Sequence, residues 1–267
     1  SAVGTGVMNV DAGTITTGGW NFIGKNEGGV GAKGTLNMSG GTLTNTGRTY
    51  VGQEGSTGNL NLAGGTYNNV NNELFIIGEN SGSKGTVTVN SSASRLQVGG
   101  EMWVGENGGN GTLNLSAGTV SVNNWFALGR GNNSTGVVNL SGTGLLEKGN
   151  VEHFIVGSDG TGANGKLNQT GGSFTTSDGS EIRLGARGGS TGTWTISAGT
   201  ATLGETLVVG DSGTGIFELS GTGVVNGTDM NIARIPENAT NSVGTATISG
   251  GSLSLSGNVD VQASATG

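Results

Sequence analysis

Cysteine is absent from this 267-residue chain. That excludes disulfides, zinc–thiolate sites and thiol nucleophiles together, and leaves the redox compartment open. Proline occurs once; without it, and without glycine at every third position, a collagen-like rod is excluded. Charged residues make up only 11%, whereas intrinsic disorder goes with high charge and few β-branched residues. No run approaches the roughly 18 apolar residues of a membrane-spanning helix, so no membrane insertion is expected. The 11 basic residues stand singly from Lys25 to Arg234 against a net charge of −7. Phosphate backbones need clustered Lys and Arg, so no nucleic-acid partner is expected either. No secretory leader opens the sequence, and Ser1 stands close to a repeat, which reads as a piece of a longer modular protein.

Glycine, by contrast, is abundant, with 58 residues, and it is periodic. The phrase Gly34-Thr35-Leu36-Asn37-Met38-Ser39-Gly40-Gly41-Thr42-Leu43-Thr44 returns along the whole chain. Ten copies start at Gly6, Gly34, Gly58, Gly85, Gly111, Gly136, Gly165, Gly192, Gly215 and Gly244, with spacings of 23 to 29 residues. Each copy holds three short alternating runs, as in 36–38, 42–44 and 48–51, separated by Gly, Asn and Ser. Strict alternation over so few residues is a strand signal. Three strands per copy, each too short to bury a core alone, predict an all-β fold: a single-stranded parallel β-helix, or β-solenoid. About ten coils spaced by the usual strand separation would stack to roughly 48 Å. The pattern carries no handedness; right-handed is the commoner hand of parallel β-helices. No linker or composition shift divides 1–267, so one domain is expected.

The alternation predicts inward columns such as Leu36/Met38 and Leu60/Leu62 on the first strands, Leu43 and Tyr67 on the second, and Val51, Ile77 and Val104 on the third. The outward columns differ from face to face. On the first strands Asn9, Asn37, Asn61, Asn114, Asn139 and Asn168 form a column that reads as a hydrogen-bonded ladder. On the second, Thr14/Thr16, Thr42/Thr44 and Thr200/Thr202 resemble the Thr-x-Thr array of ice-binding solenoids, broken around Ser94, Leu145 and Val225. Strand propensity alone also explains that threonine.

The third face stands apart. One outward column reads Phe22, Tyr50, Ile76, Trp103, Ala127, Ile155, Arg183, Val208, Asn231. The other reads Trp20, Arg48, Leu74, Glu101, Trp125, His153, Glu181, Thr206, Asp229. Aromatics are only 4% of the chain, yet five fall in these columns, together with the sole histidine. An exposed apolar stripe with polar neighbours marks a binding surface. Aromatic rings present flat faces to the C–H face of a sugar, and Arg, Glu and His hydrogen-bond hydroxyls. The coil spacing of about 4.8 Å is close to the length of one sugar in an extended β-1,4 chain. The expected carbohydrate-binding residues are Trp20, Phe22, Arg48, Tyr50, Glu101, Trp103, Trp125, His153, Glu181 and Arg183, with Tyr50 and Trp103 as the central stacking platforms.

The repeat phrase, followed by an aromatic, Val-Gly and an acidic turn (Tyr50-Val51-Gly52, Trp103-Val104-Gly105), resembles the β-strand repeats of secreted bacterial proteins, including autotransporter-like passengers. The similarity covers all ten copies. It is also similar to the parallel β-helix carbohydrate-binding modules attached to bacterial xylanases. The second resemblance implies a non-catalytic xylan binder, secreted or at the bacterial cell surface, with any glycoside hydrolase on a separate domain. The first implies a passenger or adhesin stalk. The aromatic third face favours the module.

Catalysis is not expected of this chain. A glycosidase needs carboxyl groups about 5 Å or 6.5–9.5 Å apart, whereas Glu101 and Glu181 stand three coils, about 14 Å, apart. The acidic residues Glu27, Glu54, Glu79, Glu106, Asp159 and Asp211 recur one per coil and read as solvated turns; Glu79 and Glu106 can be neighbours, but no nearby Lys or Arg is expected to accompany them. No calcium-binding nonapeptide is present, so structural calcium at these turns has no motif behind it and no cofactor is expected. Open strand edges at a solenoid end invite end-to-end or side-by-side self-association.

Overall fold

The computed structural model describes residues 4–26, 31–234 and 241–262; Ser1, Glu27 and Thr266 lie outside them. Every regular element among the described residues is a strand. The third strands stack into a 10-stranded sheet, from Asn21–Lys25 to Val259–Val261. First and second strands share a 16-stranded sheet that bends at the corner between them. Two sheets thus make three faces, all pairing is parallel, and like positions of successive coils align. Leu36, for instance, lies between Met8 and Leu60, and Val51 between Ile23 and Ile77. Ten strands give nine steps, or about 43 Å of solenoid at the usual strand spacing.

The sequence predicts three separate strands in every coil. In four coils the first two instead run together, as Lys84–Val98, Asn110–Val122, Asn164–Thr176 and Thr191–Thr202. In the Lys84–Val98 strand a register shift after Val89 takes up the bend that a turn makes elsewhere.

Two glycine columns explain the repeat phrase. From Gly34 onward, the glycine near the start of each first strand lies against the backbone of the third strands. A Cβ at Gly111 would stand 2.1 Å from the Ile77 carbonyl oxygen and 2.3 Å from the Gly105 nitrogen. Gly105 in turn has φ 73, a left-handed conformation that residues with a Cβ disfavour. Backbone touches backbone at this corner, so a Cβ is shut out of the Gly111 column and strained in the left-handed Gly105 column, where Ala233 is the exception.

Seven of the twelve aromatics fill the core. Phe126, Phe154, Phe174, Trp194 and Phe217 follow one another ring to ring at 4.7 to 5.7 Å. Tyr67 is fully buried, and its hydroxyl pairs with Thr49 at 2.9 Å and accepts from Asn21 at 3.1 Å. On the first face the asparagine column is a hydrogen-bonded ladder: Asn37 donates to Asn9, Asn61 to Asn37, Asn139 to Asn114 and Asn168 to Asn139, at 2.8 to 2.9 Å. The second face carries its threonines in register, with Arg95, Leu145 and Val224 interrupting them.

Candidate functional site

The remaining five aromatics stand on the third face, in the columns that the alternation predicts. Pairing aligns Phe22 with Tyr50, Tyr50 with Ile76, Ile76 with Trp103, and onward through Ile155 and Arg183. Backbone bonds carry the second column beyond the strand starts: Asn21 donates to the Arg48 carbonyl, Met102 to that of Trp125 and Phe126 to that of His153. The ten expected residues gather into three groups along the axis.

The first group is aromatic. Trp20 and Phe22 are exposed, 56% and 37%. They stand on the rim of an open cavity of about 690 Å³ floored by Ile15, Leu36, Leu43 and Tyr67. Tyr50 departs from its expected role. It is only 3% exposed, because Phe22 stacks on it at 5.2 Å and 13° and Trp20 leans against it at 5.8 Å. Outward direction does not guarantee access when a larger ring sits on the adjacent coil. Tyr50 therefore packs beneath Phe22 and Trp20 and presents no open ring face. Arg48 lies over Trp20, its guanidinium carbon 5.4 Å from the ring centre, and its Nε approaches Glu73 at 3.5 Å. A hydrogen bond donated to the Tyr50 hydroxyl oxygen, together with Glu73, holds the arginine pKa above its ordinary value.

The second group centres on Trp103, which is half-buried. Its Nε1 donates to Glu101 at 2.9 Å, and the Arg130 guanidinium lies over its ring, 4.0 Å from the centre. Arg130 also donates to Glu106 at 2.6 Å and approaches Asp159 at 4.0 Å. The reading of the acidic residues as solvated turns is thereby corrected for Glu106 and Asp211, each 3% exposed and ion-paired with arginine. Glu79 and Glu106 pair on adjacent coils, and Arg130 follows in the same column. Glu54 keeps the exposed turn position. Burial pushes the Glu106 carboxyl up to about 7; Arg130 opposes that shift and Glu79 adds to it.

The third group is polar. Trp125 donates its Nε1 to Glu152, and its ring lies 6.5 Å from that of His153. Arg183 contacts His153 Nε2 at 2.9 Å and Glu181 at 2.7 Å. A guanidinium only donates, so Nε2 accepts and the neutral ring carries its proton on Nδ1, which is buried without a partner. Burial, then Arg183, lower the His153 pKa. Arg234 bridges Glu181 at 2.8 Å and Asp211 at 3.1 Å. Burial works against the Glu181 charge, but Arg234 and Arg183 outweigh it and hold the carboxyl below its usual range.

Compared with known protein families, curated proteins and solved structures, the chain matches none.

Sequence reasoning misses the column behind these contacts: Lys25, Gln53, Glu79, Glu106, Arg130, Asp211 and Arg234. After Val104, strict alternation puts Gly105 outward and Glu106 inward. The left-handed glycine resets the alternation, and the pairing passes from Val104↔Leu128 to Glu106↔Arg130 without a glycine pair. Glu106 thus joins the face of Trp103. The recurring Gly-Gln, Gly-Glu, Gly-Arg and Gly-Asp steps at 52–53, 105–106, 129–130 and 210–211 are the signal that marks this column. Glu73 and Glu152 are also missed, since they sit outside any alternating run. So is Lys148, buried in an inward column between Val122 and Thr176 and donating to the Gly149 carbonyl. Burial lowers its pKa to about 8.

Chemically, the face offers ring surfaces and hydrogen-bonding groups whose charges are already paired. Glu101 and Glu181 remain three coils apart, with Trp125 and His153 between them. The closer carboxyl pair, Glu79 and Glu106, includes a side chain shut beneath Arg130. Among the described residues no group of three or more His, Cys, Asp or Glu is placed to hold a metal ion.

Proposed function

We propose that this chain is a non-catalytic module that binds a β-linked plant polysaccharide, xylan first among them, along the third face. One observation carries the reading: every aromatic outside the core stands on that face, and Trp20 and Phe22 are exposed there. Burying a large ring is favourable and leaving it in water is not. An exposed aromatic pair with arginine and glutamate beside it suits a ligand that is apolar on one side and hydroxylated at its edges. The in-register stack sets successive coils at a spacing close to one sugar.

On this reading Trp20, Phe22 and Trp103 stack on sugars, with Trp125 flanking. Arg48, Glu101, His153, Glu181 and Arg183 meet hydroxyls or substituents, and Tyr50 holds Phe22 and Trp20 in place. Carbohydrate binding at a bacterial surface or outside the cell is the setting that the repeat's resemblances suggest. Affinity screening against soluble and insoluble plant polysaccharides is the direct test. Retention on xylan supports the reading, and retention on none of the panel ends it.

A stalk for extension and display is the second reading. The continuous parallel stacking and the asparagine ladder favour it, since both stiffen the rod without offering a site. The same screen separates the two.

A further inference from the structure

We infer that Arg130 is an internal occupant of the Trp103 ring, which a stacking ligand displaces, so that Arg130 and its partner Glu106 set how available this platform is. The inference rests on the reading of the third face as a glycan-binding surface. Three cations lie over rings there, and Arg130 is the closest. Its guanidinium carbon is 4.0 Å from the Trp103 centre, against 4.5 Å for the Lys25 ammonium over Phe22 and 5.4 Å for Arg48 over Trp20. A guanidinium over an indole uses the same π surface that a sugar needs. The ring cannot simply turn away, because its Nε1 is tied to Glu101 at 2.9 Å.

Arg130 reaches Trp103 from the next coil: Trp103 pairs with Ala127 and Glu106 with Arg130. Glu106 Oε1 holds the guanidinium at 2.6 Å, and Asp159 stands behind as a weaker anchor at 4.0 Å, itself engaged by Arg187 at 3.0 Å. Other anchors thus exist for Arg130 once it leaves the ring. The other groups facing Glu106 are Glu79 on the preceding coil, Arg48, and the Asn107 amide at 3.4 Å. Glu106 Oε2 is buried without a partner, a position where a proton is readily held. Neutralising Glu106 removes the stronger of the two anchors, so the platform should open as pH falls through about 7.

The test uses the whole chain labelled with 5-fluorotryptophan, whose four 19F signals are assigned by single Trp→Phe variants. Arg130→Gln should shift the Trp103 signal and raise its solvent exposure. Xylohexaose affinity should rise about three- to tenfold, as expected for loss of a competing cation–π contact. Glu106→Gln should move the signal in the same sense and abolish its pH dependence near neutrality. Arg95→Gln, on another face, controls for loss of an arginine and should change neither. An unmoved Trp103 signal in Arg130→Gln overturns the inference. So does weakened affinity in that variant, which would make Arg130 a ligand contact. If Trp103 responds but neither protein binds any plant glycan, displacement by ligand falls together with the binding reading, and only the intramolecular contact stands.

Discussion

Phe22 lies on Tyr50, ring centres 5.2 Å apart and planes within 13° of parallel, and this stack turns the most sequence-conspicuous aromatic of the third face into a support. Tyr50→Ala should therefore lower stability, by about 2–4 kcal/mol for a buried ring near the end of the described stack. Trp20→Ala removes a mostly exposed ring and should change stability by less than about 1 kcal/mol. Urea unfolding of both variants checks this. Equal stabilities would mean that Tyr50 is not covered as described.

The two glycine columns make a second contrast. Gly111→Ala places a Cβ 2.1 Å from a carbonyl oxygen, with backbone on both sides, and should abolish cooperative folding. At the position equivalent to Gly105 and Gly210, the ninth coil carries Ala233 with φ 60. A residue with a Cβ there is strained by roughly 1–2 kcal/mol, part of which the extra unfolded-state freedom of glycine offsets. Ala233→Gly should raise stability by about 0.5–1 kcal/mol. Thermal unfolding followed by β-sheet circular dichroism reads both effects.

Glu106 sets a pH dependence. Its carboxyl titrates near the ordinary 4.5 when unfolded and at about 7 when folded. Between those values the folded chain binds more protons, so stability falls as pH rises and the loss is complete above about 7. A shift of that size corresponds to up to about 3 kcal/mol. Glu106→Gln should flatten the slope and leave the chain more stable than the parent at alkaline pH. A slope unchanged by the substitution would contradict the burial of this carboxyl.

His153 works in the other direction. Its folded pKa lies below the ordinary 6.5, so the neutral ring is favoured and the stability it contributes is present above about 6.5 and lost as pH falls through the lowered value. Protonation also places a second cation against Arg183, whose Nη2 then has no acceptor at Nε2. His153→Gln keeps an acceptor without a titration and should remove this acid-side loss. NMR titration of the imidazole gives the pKa directly; a value at or above 6.5 would refute the arrangement.

Most of the fold is legible in the sequence because its period is two and its repeats are aligned by glycine. Met38, Leu62 and Val89 could be placed inward, and Phe22, Tyr50, Ile76 and Trp103 in one outward column, from alternation alone. Access was not legible, since whether Tyr50 meets solvent depends on the ring of the adjacent coil. Nor was the charged column. A left-handed Gly105 shifts Glu106 to the face that alternation denies it, and Arg130 acts one coil back from its own position. Continuous strands such as Lys84–Val98 escaped for a related reason, because a bulge there replaces the turn that Gly and Ser suggest.

Isothermal titration of xylohexaose into the parent, Trp20→Ala, Trp103→Ala and the second-face control Thr119→Ala tests the central claim most directly. The account predicts that the parent binds and that each tryptophan variant loses about 2 kcal/mol or more, as hot-spot aromatics do, while Thr119→Ala binds like the parent. Tryptophan variants that bind like the parent, or binding that disappears with Thr119→Ala, would contradict it.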